Sequence, residues 1–154
     1  MIVNVAGIDP NSLVNGPGLR YVLYVQGCKH HCKGCHNEHT WSFGTGKNMF
    51  IEEIFEDIKK NIPLIKGITL SGGDPMEQAE PLYYLCKRVK EELGLNIWCY
   101  TGYTYEDIIY GADKNKEKLL KTIDTLVDGK FEENNTNGEH KYIGSNNQRI
   151  IHFY

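Results

Sequence analysis

The chain has no run of apolar residues approaching the roughly 20 that a membrane-spanning helix needs. Its opening residues, Met1-Ile2-Val3-Asn4-Val5, show no basic region leading into a long apolar stretch. Neither a membrane span nor an export signal is expected. Positive charge is not in excess either: 17 Lys and Arg stand against 20 Asp and Glu, a net charge of −3. Nucleic acid calls for a basic field and is not an expected partner. Internal repeats and low-complexity blocks are absent, apart from a polar stretch at residues 132–141 that reads as a mobile surface loop. With 154 residues, 40% hydrophobic and 24% charged, the chain is expected to form one domain, 1–154, that needs no disulfides to hold its core.

Cysteine is scarce but concentrated. There are five, an odd number, and without an export signal they are expected in the reducing cytoplasm, where clustered thiols favour metal or redox chemistry. Three of them form Cys28-x-x-x-Cys32-x-x-Cys35, within the loop Gly27-Cys28-Lys29-His30-His31-Cys32-Lys33-Gly34-Cys35-His36-Asn37 that follows an apolar strand. Short spacers on an irregular loop can wrap the corners of an iron–sulfur cubane. Three ligands on a four-iron cluster leave one iron open to chemistry. The same spacing also fits a zinc knuckle completed by one of His30, His31, His36 or His39. Cys86, on the apolar stripe of a helix, and Cys99, inside a strand, read as small core residues rather than as a fourth ligand. The bases Lys29, His30, His31 and Lys33 read as a solvated loop, or as a screen for an anionic cluster.

Strands and helices alternate along the rest. Strands are expected at residues 20–26, 67–70, 96–100, 125–127 and 149–153, and helices at 50–60, 80–93 and 116–123. Gly94 stands where the second helix should stop, and Thr104-Tyr105-Glu106-Asp107 reads as a capping box opening a short helix. This alternation predicts an α/β fold with a mostly parallel sheet. A chain too short for eight βα units predicts an open, partial barrel. Parallel strands present their C-terminal ends on one side, where such folds bind ligands. The segments there are Gly27-Cys28, Ser71-Gly72-Gly73-Asp74-Pro75, Thr101-Gly102-Tyr103 and Asp128-Gly129-Lys130. They are expected to ring one mouth. Gly72 and Gly73, lacking Cβ, would let backbone approach a ligand. Lys130 would meet a carboxylate, and Asp128 a ribose hydroxyl, a cation or the partner.

The three-cysteine loop resembles that of radical S-adenosylmethionine (SAM) enzymes, and Gly72-Gly73-Asp74-Pro75 resembles their Gly-Gly-Glu motif with Asp in place of Glu. Many members carry an aromatic residue before the third cysteine where this chain has Gly34, so adenine stacking would fall to Trp98, Tyr100 or Tyr103. The resemblance implies a [4Fe–4S] cluster on Cys28, Cys32 and Cys35, with SAM held around Gly34, Cys35, His36, Gly72, Gly73, Asp74 and Lys130. Val14-Asn15-Gly16-Pro17-Gly18-Leu19-Arg20, Trp41, Val127-Asp128-Gly129-Lys130-Phe131 and Gly144-Ser145-Asn146-Asn147-Gln148-Arg149 extend it over residues 7–152. Together they resemble the activases of glycyl-radical enzymes, in particular the family serving the anaerobic ribonucleoside-triphosphate reductase.

The fold so implied is a single-domain open partial (β/α) barrel of the radical SAM type. The implied reaction passes one electron from the cluster to SAM, yielding methionine and a 5′-deoxyadenosyl radical. That radical takes a hydrogen atom from a glycine Cα in the large catalytic subunit of the reductase, and no side chain serves as acid or base. Reduced flavodoxin or ferredoxin would supply the electron. The competing readings are an activase of another glycyl-radical enzyme, an electron-transfer iron–sulfur protein using a fourth cysteine, and a zinc-stabilised interaction module.

Overall fold

The expected strand at residues 20–26 forms as β2 (Arg20–Val25), and its period-two alternation divides the sheet into two unlike faces. Tyr21, Leu23 and Val25 point into the hydrophobic core with Ile68, Leu70, Ile97, Cys99 and Leu126 from neighbouring strands. Residues of the opposite parity, Arg20, Val22, Tyr24, Thr69, Ser71, Trp98 and Tyr100, lie outside that core cluster. The helices α1 (Ile51–Lys60), α2 (Ala79–Arg88) and α4 (Lys114–Leu120) supply its other side through Ile54, Phe55, Leu82, Leu85 and Leu119. One face is therefore apolar and covered. On the other, Arg20, Val22, Thr69 and Trp98 are also buried, while Tyr24, Ser71 and Tyr100 line a cavity.

This computed structural model describes residues 1–136 and 141–154, so part of the loop expected at 132–141 lies outside the described residues. Among the described residues the strands β1 (Ile2–Ser12), β2, β3 (Lys47–Phe50), β4 (Gly67–Gly72), β5 (Asn96–Tyr100), β6 (Thr125–Asp128) and β7 (Arg149–His152) form one sheet. Their order is β3-β1-β2-β4-β5-β6-β7. The central four, β2, β4, β5 and β6, are parallel. The outer pairings β1–β2, β1–β3 and β6–β7 are antiparallel. The sheet stays open, with β3 and β7 as its edges.

Two strands were not expected. β1 changes register between Val5 and Gly7 and again between Asp9 and Ser12, and such bulges erase the alternation by which a strand is recognised. β3 is an exposed edge of polar residues, Lys47 and Asn48, with Phe50 also exposed. The helix boundaries also differ, for local reasons. α4 begins at Lys114 rather than 116 because the Asp113 carboxylate caps it, accepting from the amides of Asn115 and Lys116. The stretch expected as one helix over 80–93 is α2 followed by a single π-turn, Val89–Leu93, which Gly94 ends in the left-handed conformation (φ 63°). Thr104 and Asp107 form the expected reciprocal capping box of α3 (Tyr105–Ile109).

The end of β4 is pressed against β2. A Cβ on Gly72 would lie 2.4 Å from both the amide nitrogen and the carbonyl oxygen of Val25, and its φ of +113° already disfavours any side chain. Gly72→Ala is expected to cost about 3 kcal/mol or more, read as a lowered midpoint in urea unfolding with an unchanged slope.

Candidate functional site

β2 delivers the chain to the cysteine loop, and hydrogen bonds fix the exit. The Gln26 amide donates to the carbonyls of His39 (3.0 Å) and Ser42 (2.7 Å). Gly27 N–H donates to Thr40 O at 2.6 Å and Cys28 N–H to Trp41 O at 3.2 Å. The loop thus doubles back on itself, and its three half-buried thiols face one cavity.

A backbone amide is directed at the Cys35 sulfur, and the electrostatics of nearby amides favour thiolate at the other two. Burial pushes the Cys28 thiol up, and the amides of His30 and His31 oppose that shift. Burial likewise raises Cys32 against the amide of Phe131 and the charge of Lys130. Asn37 N–H lies 3.4 Å from Cys35 Sγ. Amides directed at sulfur stabilise thiolate over thiol, the state in which cysteine binds metal.

The cavity holds about 510 Å³ and is lined by Cys28, Cys32 and Cys35 together with His36, Gly72, Gly73 and Asp74. Tyr100, Thr101 and Gly129 from the ends of β5 and β6 complete that wall, while Asn15, Tyr24 and Tyr142 line it too. The loops expected around one mouth are indeed together there. Among the described residues no three His, Cys, Asp or Glu side chains converge closely enough to hold a single metal ion.

Other candidates are placed differently. Gly34 does not line the cavity; its φ is +78° and a Cβ there would touch the Glu133 side chain. Lys130 is exposed and lines a neighbouring cavity beside Lys29, Tyr103 and Asp107. Asp128 is buried and already engaged: it accepts from Tyr105 N–H at 2.7 Å and pairs with Arg149 at 2.5 Å. Arg149 Nε also donates to its Oδ1 at 3.0 Å, so its charge is paired within the protein by β7. Trp98 is buried between Tyr142 and His152, leaving Tyr100 as the expected aromatic residue that faces the cavity. Tyr103 instead donates to Glu77 at 2.5 Å.

The Asp74 carboxylate is saturated by protein donors. Oδ1 accepts from Met76 N–H at 3.0 Å and Thr101 Oγ1 at 2.9 Å, and Oδ2 from Gly102 N–H at 2.9 Å. His30 Nε2 meets Oδ2 at 2.7 Å. What the strand loop turns toward a ligand is backbone. The Gly72 carbonyl already accepts from Asn37 Nδ2 at 3.3 Å, and a carbonyl has a second lone pair to give.

Sequence reasoning missed Phe131 and Asn37 as site residues. Their main-chain amides leave no trace in residue type, and the Asn37 side chain on Gly72 O and the Phe131 ring in the cavity wall depend on loop contacts that the sequence does not display. Cys86 and Cys99 sit fully buried in the core cluster on the helix-covered side. Burial holds the Cys86 thiol up at about 12 and the Cys99 thiol well above its ordinary value, which suits core packing and not ligation.

Known proteins resemble this chain along nearly its whole length. The family described as a 4Fe-4S single cluster domain matches residues 14–151. The anaerobic ribonucleoside-triphosphate reductase-activating protein of Vibrio cholerae is 41% identical over 150 residues, 94% of each chain. Its namesake in Enterobacteria phage T4 is 37% identical over 154 residues, 96% of this chain and 93% of the relative. That of Escherichia coli K12 is 34% identical over 149 residues, 93% and 94% respectively. Among solved structures, QueE from Escherichia coli matches 68% of this chain and 54% of its own with a TM-score of 0.50. At 17% identity that likeness speaks for the fold alone.

Proposed function

This chain belongs to the family of anaerobic ribonucleoside-triphosphate reductase-activating proteins, and on that premise we propose that it generates a glycyl radical on the large catalytic subunit of such a reductase. The observation that carries the reading is the convergence of Cys28, Cys32 and Cys35 on one cavity, with the Asn37 amide directed at Cys35 Sγ. A [4Fe–4S] cluster fits this donor set: three thiols, no fourth cysteine within reach, and amide donors of the kind that tune cluster potentials. When bound, the cluster and S-adenosylmethionine supply reductive cleavage of the sulfonium and abstraction of a hydrogen atom from a glycine of the partner.

The chain's own residues hold and orient. The three thiolates would anchor the cluster while the Gly72 carbonyl, through its second lone pair, the Gly73 backbone and the edge formed by Cys35 and His36 would receive SAM. Tyr100 and Phe131 narrow the cavity around the ligand and exclude water. Lys130 would act at a distance, its charge favouring the Cys32 thiolate from outside the cavity. We read residues 1–154 as one radical SAM domain working in a reducing cytoplasm and reduced by a small carrier, flavodoxin or ferredoxin. No described helix is long and apolar enough to cross a membrane.

The test is anaerobic. The protein, reconstituted with iron and sulfide and reduced, is mixed with SAM and the large reductase subunit. The expected result is 5′-deoxyadenosine together with a glycyl-radical electron paramagnetic resonance signal on the subunit. A well-formed cluster giving neither product would overturn the reading and favour electron transfer. Nucleoside without a radical on this subunit would move the target to another glycyl-radical enzyme.

A further inference from the structure

Two neighbouring histidines in the Cys28–Cys32 spacer point in opposite directions. His30 turns inward, its side chain only 7% exposed, with Nε2 on Asp74 Oδ2 at 2.7 Å. Its ring packs edge-on against Tyr103 at 4.6 Å between centroids. The space it occupies exists because residue 102 is glycine: a Cβ there would lie 2.4 Å from His30 Cδ2. His31, by contrast, adopts φ +49°, an uncommon conformation for a residue with a side chain, and stacks flat on Trp41 at 4.6 Å and 6°. The last two of the three spacer residues are thus held on opposite sides, one by the loops after β4 and β5, the other by the segment after the cysteines.

We propose that His30 and Asp74 form a latch that sets the separation and direction of Cys28 and Cys32, so that the Asp74 side chain serves the cluster loop instead of contacting SAM. They are positioning residues, and the inference rests on the cluster reading above. Asp74 suits the task because its carboxylate is already immobilised by Thr101 Oγ1, Gly102 N–H and Met76 N–H. A hydrogen bond from His30 to such a fixed anchor transmits the rigidity of two strand ends to the spacer. The Asp-for-Glu departure from the Gly-Gly-Glu pattern follows the same geometry. The shorter side chain can cap the turn Pro75–Gln78 at Met76 N–H and still reach His30.

A buried His–Asp pair can also serve stability alone, so the test separates holding the fold from holding the cluster. His30→Ala and His30→Gln are reconstituted beside wild type, and iron loss to a chelator is timed without oxygen or SAM. Thermal unfolding of each apo-protein is measured in parallel. The glutamine amide nitrogen sits close to where Nε2 stood and can still donate to Asp74. His30→Ala is expected to release iron about tenfold faster or more, the scale on which supporting shells affect metal sites, while His30→Gln stays near wild type and the apo-protein midpoints move little. Release at the wild-type rate from His30→Ala, or a glutamine variant as leaky as the alanine one, would overturn the latch. So would a loss of apo-protein stability that accounts for the whole effect. Because the chelator assay needs no SAM, a wild type that holds its cluster but yields no 5′-deoxyadenosine sinks the activase reading and leaves the latch result legible.

Discussion

Replacing any one of Cys28, Cys32 or Cys35 by alanine is expected to reduce 5′-deoxyadenosine formation to assay background, whereas Cys86→Ala and Cys99→Ala retain both cluster and product. The asymmetry follows from burial. Each of the three loop thiols is only partly buried and lines the shared cavity, where nearby amides favour its thiolate, so it is available to bind iron. The other two are sealed in the core, where forming a thiolate would leave a charge without partner or water. On the proposed ligation, loss of one loop thiol would leave two cysteines to hold the cluster, too few to keep it intact and in place for reduction of SAM. Cys86→Ala removes only a sulfur from packed apolar neighbours, at a cost of about 1–2 kcal/mol, read as a lower unfolding midpoint with undiminished brown colour. A fourth-ligand role for Cys86 or Cys99 would reverse the result, bleaching those variants on purification. That outcome would also turn the protein from activase to electron carrier.

Much of this site is legible in the sequence because its residues are unusual in kind. Three closely spaced cysteines and paired glycines after a strand are rare enough to mark themselves, and both reach the cavity. The parallel centre of the sheet follows from strand–helix alternation. What alternation cannot convey is the edge, where β1 is bulged and β3 is exposed and polar. Lys130 and Asp128 show a different limit. Position after a strand brings a residue to the mouth, but its direction depends on what else is there to bind it. Arg149, far along the chain, takes Asp128, and the turn at Gly129 carries Lys130 to the neighbouring cavity. Asp74 is the clearest instance. Its motif suggests a ligand contact, yet four groups of the protein itself fill its oxygens, and three of the four come from loops that the sequence leaves unconnected.

The segment Val14-Asn15-Gly16-Pro17-Gly18-Leu19-Arg20 resembles a functional signature, and its arginine is expected to matter through stability. Arg20 is 1% exposed. Its donors are spent on Thr69 Oγ1 (2.8 Å), Pro17 O (3.1 Å), Ile68 O (2.7 Å) and Asn96 Oδ1 (2.8 Å). These are neutral partners, and burial lowers its pKa to about 10, so the guanidinium remains charged at neutral pH. Arg20→Ala strips several buried acceptors of their donors and opens a void beneath Trp98, costing about 3 kcal/mol or more. Arg20→Lys is expected to fare little better, since an ammonium cannot span strands β2, β4 and β5 with a planar fork. The consequence reaches the site because Thr69, which accepts from Arg20, donates in turn to Asn15 O at 2.6 Å, and Val14 and Asn15 wall the cysteine cavity. Denaturant unfolding should show the stability loss, and hydrogen exchange should show residues 13–19 losing protection ahead of β2 itself. An Arg20→Ala protein as stable as wild type but inactive would mean that the arginine meets the partner or SAM directly. Its burial under Trp98 and its full set of internal hydrogen bonds argue against that outcome.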